Sequence, residues 1–143
     1  MKHEKFGLIS IIMAAYNAER TIEQAIGSVL NQTYSNFELL VINDCSRDKT
    51  TQIVESITKR DSRVRLILNE KNSGVSYTRK HGLKEAKGEW IAILDSDDAW
   101  APEKLEKQIM LQEQTNADLL FTGSAFMDAD GEPINWYFAA PTE

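Results

Sequence analysis

The part of this sequence best suited to chemistry is a run of three aspartates, Asp95, Asp97 and Asp98, that directly follows the apolar residues 90–94. Carboxylates so close repel one another unless a cation lies among them, and carboxylate oxygens suit Mg²⁺ and Mn²⁺. Residues 95 and 97 of a continuing strand project the same way, so we predict that Asp95 and Asp97 hold a divalent metal. The alternative is a polar loop that caps the next helix, and Asp98 fits either interpretation.

Predicted strands and helices alternate along the chain and would position these carboxylates. The patterns predict strands at 8–15, 37–42, 64–68, 90–94 and 119–123; helices at 22–30, 49–60, 75–87 and 102–115; and a hairpin turn at 128–131 followed by a returning strand at 133–138. Pro102 would take the first position of its helix, and Gly88 would cap the end of the helix before it. This alternation predicts an α/β fold with a mostly parallel sheet, helices on both faces and right-handed crossovers.

Ligands of open α/β sheets bind beyond the carboxyl ends of the strands. Polar or acidic residues follow each of the first four predicted strands, at 15–19, 43–46, 69–74 and 95–98. We therefore expect a site along this edge of the sheet.

Individual residues at this edge have two interpretations each. Asp44 could accept a hydrogen bond from a nucleobase or simply end its strand, and Tyr16 could lie against a base or only pack. The turn ending in Ser73 and Gly74 brings backbone amides to a helix start, where an anion is favoured. Arg79 could reach a phosphate or a base, or belong to a solvated helix face. His3, His81 and Cys45 show neither metal-ligand spacing nor a base partner and are expected to be structural.

Composition narrows the classes of function. The chain has 143 residues, which suits a single domain, 1–143. Its net charge of −6 argues against nucleic acid as a partner, but a divalent cation would still allow a phosphorylated small molecule to bind. One cysteine permits no internal disulfide, and the polar start at 1–6 lacks a signal-peptide core, so we expect a cytoplasmic protein. Glycine-rich dinucleotide and P-loop motifs are missing.

Five segments together resemble family 2 glycosyltransferases, and the likeness covers about residues 9–128. They are 10–17, 28–34, 37–44, 72–74 with Arg79 and Gly88, and 95–98. The resemblance implies a GT-A (Rossmann-like) fold, a nucleotide-diphospho-sugar donor, most simply a UDP-sugar, and Mn²⁺ or Mg²⁺ as cofactor.

The same resemblance assigns roles to residues. It implies that Ala15 and Tyr16 line the nucleoside pocket with Asn17 beside them, and that Asp44 contacts the base. Asp95, Ser96 and Asp97 would form the D-x-D motif at ribose and metal. Ala15 departs from the family, which often has proline there.

The implied function is metal-dependent, inverting transfer of a sugar to a hydroxyl of a glycan or lipid-linked acceptor, in cell-surface polysaccharide or glycan synthesis. The chain stops soon after the hairpin, so we expect the N-terminal part of a longer enzyme, with its catalytic base beyond Glu143. Such a fragment would bind nucleotide but transfer sugar poorly. The longer protein could associate peripherally with the inner face of the membrane. The alternatives are a non-catalytic nucleotide-binding or scaffold module and, remotely, a D-x-D phosphatase with Asp95 as nucleophile.

Overall fold

The structure, a computed structural model, describes residues 6–128 and 130–138. Its helices and strands are β1 (Ile9–Ala15), α1 (Ile22–Leu30), β2 (Phe37–Asn43), α2 (Thr50–Thr58), β3 (Val64–Leu68), α3 (Val75–Glu85), β4 (Trp90–Ile93), α4 (Lys104–Thr115), β5 (Ser124–Met127) and β6 (Pro133–Phe138). Contacts divide the chain into two compact units, one up to Glu106 and one from Lys107 onward. Units of this kind can belong to one domain, so the single-domain expectation stays a prediction. Within the described ranges, no helix is long and apolar enough to cross a bilayer.

The first unit contains a four-stranded sheet in the order β3-β2-β1-β4. All three strand pairs are parallel, and Ile11 of β1 lies level with Leu39 of β2 and Ala92 of β4. The parallel sheet and the strand–helix order are therefore confirmed. Because every strand runs the same way, their carboxyl ends meet at one edge.

The two central strands are buried on both faces, as expected of parallel strands covered by helices. Helix α3 lies against one face, so close that a Cβ on Gly82 would come within 2.7 Å of the side chains of Ile12 and Ile42. Ile11 and Met13 are fully buried and, by strand alternation, point to the opposite face. Right-handed crossovers place α1 and α2, which touch each other, on that side.

Helix α3 ends at Glu85 and not at 87 as predicted. The hydroxyl of Ser10 and the carboxylate of Glu38 accept hydrogen bonds from the backbone of Lys87 and Gly88, so these amides bind the sheet and do not continue the helix. Gly88 is consequently not a helix cap. A Cβ at Gly88 would lie 2.6 Å from the backbone nitrogen of Ser10, so glycine is required there for close approach.

The prediction that Pro102 starts α4 was also wrong, because that helix begins at Lys104. The carbonyl of Pro102 accepts the backbone N–H of Thr33, and buried Gln32 holds the segment around it. The Gln32 amide donates to the carbonyl of Ala101, and its oxygen accepts the backbone N–H of Leu105. One side chain at the end of α1 thus fixes the chain between the acidic run and α4.

In the second unit, β5 and β6 form an antiparallel hairpin. The predicted turn and returning strand are confirmed, although Ala129 lies outside the described residues. Asp128 organises the turn, since its carboxylate accepts backbone N–H groups from Asp130 and Glu132. The predicted fifth strand is present, but it begins at Ser124 and not at Leu119.

Candidate functional site

A cleft of about 570 Å³ opens at the carboxyl edge of the sheet. Its walls come from the segments after β1, β2 and β4 and from the start of α3. The lining residues are Ala14, Ala15, Tyr16, Asn17, Ala18, Thr21, Asp44, Asn72, Gly74, Val75, Thr78, Arg79, Asp95, Ser96 and Asp97. All the site residues predicted from the sequence are therefore in one cleft, with the exception of Ser73, which adjoins it through its backbone.

The wall after β1 presents Tyr16 to solvent, with half of its surface exposed. Asn17 follows with a left-handed backbone, φ 49°, a conformation that asparagine tolerates better than most residues. Its N–H donates to the hydroxyl of Ser46, and its side-chain oxygen accepts the N–H of Arg47. Asn17 therefore joins the loop after β1 to the loop after β2, and this fixes the position of Tyr16.

Asp44 lies at the floor of the cleft and is almost fully buried. One carboxylate oxygen accepts from the Asn69 amide at 2.7 Å and from the Ser73 N–H at 2.9 Å; the other accepts from the Gly74 N–H at 2.8 Å. Burial would raise the pKa of Asp44, but these hydrogen bonds outweigh it and hold the pKa below its ordinary value. The carboxylate is thus charged and strongly engaged.

This arrangement changes the expectation for the turn before α3. The anion that the Ser73 and Gly74 amides meet is the carboxylate of Asp44 within the same chain. Gly74 has φ 81°, a left-handed conformation that glycine adopts without strain. A carboxylate has about four acceptor positions, and three donors already bind here. Contact of Asp44, Ser73 and Gly74 with a ligand stays a prediction.

The sequence placed Asn69 and Asn72 in the polar segment 69–74 but did not reveal that both support Asp44. Asn69 is buried, and its amide also donates to the hydroxyl of Thr78 on α3. Asn72 lines the cleft and donates to the backbone carbonyl of Asp44 at 3.2 Å. The signal for Asn69 was its place directly after β3, the same rule that identified Asp44.

Arg79, one turn into α3, pairs through Nη2 with the carboxylate of Asp95. Its Nε is buried and has no hydrogen-bond partner among the described residues. An unpaired buried donor is costly, so this N–H is suited to an acceptor oxygen of a ligand. Arg79 thus lines the cleft with 38% of its side chain exposed, and its contact with a ligand stays a prediction.

The acidic run after β4 forms a further part of the cleft lining through Asp95, Ser96 and Asp97. The backbone N–H of Asp98 donates to the carbonyl of Asp95 and turns the chain. The pKa of Asp98 is raised by burial and then by the negative charges of Asp97 and Asp95. The carboxylates therefore lie close enough to repel one another, which is the environment that a cation relieves. The described ranges nevertheless contain no group of three or more acidic, histidine or cysteine side chains placed to hold a metal alone.

Comparisons with known proteins agree with this fold and cleft. The profile of Glycosyl transferase family 2 matches residues 10–136. Two Escherichia coli proteins, each described as a UDP-Glc:alpha-D-GlcNAc-diphosphoundecaprenol beta-1,3-glucosyltransferase, are similar. WfgD is 47% identical over 114 residues, covering 80% of this chain and 44% of its own length. WfaP is 39% identical over 136 residues, covering 95% of this chain and 53% of its own length. The chain spans about half the length of these relatives.

Among solved structures, S. aureus TarS 1-349 in complex with UDP superimposes with a TM-score of 0.72 at 33% sequence identity. The match covers 77% of this chain and 33% of that one. The fold and the edge-of-sheet cleft define a GT-A glycosyltransferase domain. This chain belongs to glycosyl transferase family 2, which sets the phosphatase interpretation aside.

Proposed function

We propose that the cleft binds the nucleotide-diphospho-sugar donor of a glycosyltransferase, and that the donor is a UDP-sugar. The observation that carries this proposal is the gathering of separate sequence segments in one cleft at the carboxyl edge of the sheet. The segments after β1, β2 and β4 and the start of α3 are far apart in the chain. UDP in the related TarS structure supports the choice of nucleotide.

The nucleoside would occupy the side of the cleft formed by Ala15, Tyr16 and Asn17. Tyr16 offers an exposed aromatic ring on which a base can stack. Arg79 pairs with Asp95 of the acidic run, and its unpaired Nε can donate to a phosphate or base oxygen. The proposed roles of Asp44 and Ser96 are contacts to the base and the ribose.

The acidic run fits a divalent cation, Mn²⁺ or Mg²⁺. Asp97 and Asp95 supply hard oxygen ligands, and the raised pKa of Asp98 reflects burial followed by repulsion among these carboxylates. Mg²⁺ is commonly held by one or two carboxylates plus substrate phosphates and water, which agrees with a cluster too small to enclose an ion by itself. When bound, the cation would neutralise charge on the departing diphosphate.

The reaction we propose for the longer enzyme is a single displacement with inversion. An acceptor hydroxyl oxygen bonds to the anomeric carbon as the bond to the diphosphate oxygen breaks, and nucleoside diphosphate leaves. The hydroxyl proton passes to a carboxylate base, which we place outside this chain. Residues of this cleft orient the donor, and Arg79 faces its negative charge. We propose a glycan or lipid-linked acceptor in polysaccharide assembly, at the cytoplasmic face of the membrane. The diphosphoundecaprenol-linked sugar in the names of WfgD and WfaP supports a lipid-linked acceptor.

Calorimetric titration with UDP, with and without Mn²⁺, tests the donor proposal. We expect metal-dependent binding that Asp97→Ala abolishes, and unchanged binding in Asp118→Ala, which removes an exposed carboxylate elsewhere. UDP binding that is the same with and without Mn²⁺ and is unchanged in Asp97→Ala would support the alternative of a non-catalytic nucleotide-binding module. Absence of binding under all conditions would contradict the proposal and favour a scaffold.

A further inference from the structure

His81 lies on α3, one turn beyond Thr78, and is not among the residues that line the cleft. Its ring is partly buried, and Nδ1 lies 2.7 Å from the side-chain oxygen of Asn69. The cleft described above uses no histidine, so this contact needs an explanation of its own.

The hydrogen bonds of Asn69 fix the role of each atom. Its amide nitrogen donates both hydrogens, one to the carboxylate of Asp44 at 2.7 Å and one to the hydroxyl of Thr78 at 2.9 Å. The hydroxyl of Thr78 donates in turn to the carbonyl of Gly74 at 2.8 Å, so it can only accept from Asn69. The side-chain oxygen of Asn69 is therefore the acceptor that faces His81, and Nδ1 of His81 must carry a hydrogen.

A carboxamide turned by 180° would present its oxygen to the carboxylate of Asp44, and the two would repel. A donor at His81 Nδ1 opposes that rotation because it needs an oxygen in front of it. Asn69 is otherwise firmly placed: its backbone N–H donates to the carbonyl of Asn43 at 3.0 Å, and its carbonyl lies 3.1 Å from the Cys45 thiol. The amide orientation is thus the remaining freedom, and Asp44 and His81 fix it together.

We infer that His81 is a positioning residue for the donor site: its Nδ1–H orients Asn69, which holds Asp44 and, through Asp44, the Ser73–Gly74 turn. The chain of contacts runs from α3 through the ends of β3 and β2 to the cleft floor. The expected effect of these contacts on nucleotide affinity rests on the proposed function. The contacts themselves do not depend on it. Either the neutral Nδ1–H tautomer or the imidazolium supplies the donor.

Two measurements on the 143-residue chain test the inference separately. Nitrogen-15 NMR of His81 is expected to show a protonated Nδ1, and His81→Ala is expected to move the Ser73 and Gly74 amide signals. A neutral ring protonated only at Nε2, or turn signals that do not move, would overturn the inference. This readout needs no nucleotide.

The second measurement is the affinity for UDP with Mn²⁺. Loss of one hydrogen bond in His81→Ala should weaken binding by about 3- to 10-fold. His81→Asn, whose side-chain NH₂ is bonded to Cγ as Nδ1 is and can still donate to Asn69, should recover affinity to within about 2-fold of the original chain, since one hydrogen bond is restored. Leu83→Ala, at an exposed position two residues along the same helix, serves as the control and should bind normally.

Thermal denaturation of the variants distinguishes positioning from folding. A merely structural role would lower the melting temperature of His81→Ala without recovery of affinity in His81→Asn, and that pattern would overturn the inference. Normal affinity in His81→Ala would overturn it as well. If the unaltered chain binds no UDP, the proposed function fails, while the NMR result still decides the role of His81.

Discussion

Replacement of Asp44 by asparagine tests how strongly the cleft floor holds the fold together. The side chain is almost fully buried and accepts from Asn69, Ser73 and Gly74. Asparagine keeps the shape and one acceptor oxygen, but its NH₂ group would face one of these donors. The variant therefore loses a charge-assisted hydrogen bond and leaves a buried N–H unpaired.

Hydrogen bonds to charged groups contribute about 1.5–3 kcal/mol, and an unpaired buried donor costs about 1–3 kcal/mol. The two energies partly describe the same lost interaction and are not added in full. We therefore expect Asp44→Asn to lower the free energy of unfolding by about 3 kcal/mol, a large part of the stability of a small protein. At roughly 2–4 °C per kcal/mol, the melting temperature should fall by about 6–12 °C.

Urea denaturation at pH 7, followed by circular dichroism, measures this difference, with the exposed Asp118→Asn as control for the same chemical change. The difference should also depend on pH. Because the pKa of Asp44 is lowered in the folded state, its stabilisation is present above the unfolded pKa and is lost as the pH falls through the folded one. If the free energy of unfolding of Asp44→Asn at pH 7 is within about 0.5 kcal/mol of that of the original chain, the hydrogen bonds of Asp44 do not stabilise the fold as we expect.

Four further substitutions have defined expectations. Gln32→Leu leaves the carbonyl of Ala101 and the backbone N–H of Leu105 without their hydrogen-bond partner. It should lower the free energy of unfolding in urea by about 2–4 kcal/mol. An unchanged denaturation midpoint would show that Gln32 does not hold the start of α4. Gly82→Ala forces a Cβ into the sheet and should cost about 1–3 kcal/mol, whereas Gly27→Ala meets nothing within 4 Å in mid-helix and should gain about 0.4–1 kcal/mol. Asp98→Asn should stabilise the metal-free chain at neutral pH, because the raised pKa means that its charge opposes folding there; a destabilised variant would argue against repulsion in the acidic run.

The four-stranded sheet could be predicted because its signals are local. Each strand is a short apolar run, each helix has one apolar stripe, and the strand-end rule identified the cleft from Tyr16 to Asp97. The ends of α3 and α4 could not be predicted in the same way. They depend on Ser10, Glu38 and Gln32, which bind backbone groups 49 to 78 residues away.

The fifth strand shows the limit of an apolar pattern. Residues 119–123 resemble a strand, but pairing with β6 begins at Ser124, because the Asp128 turn fixes where the two strands meet. The roles within the cleft are similarly hidden from sequence. No local sequence pattern indicates that the anion at the start of α3 is the carboxylate of Asp44. The same is true of the hydrogen bonds from Asn69 to Asp44 and between His81 and Asn69.

The most direct test of the donor site is a crystal structure of the chain with UDP and Mn²⁺, using the anomalous signal of manganese to locate the ion. We expect manganese within about 2.0–2.3 Å of an oxygen of Asp97, by analogy with the Mg²⁺ and Ca²⁺ distances. Diphosphate oxygens should complete its coordination, and the base should lie near Tyr16. Manganese bound away from the acidic run, or UDP bound outside this cleft, would contradict the proposed donor site.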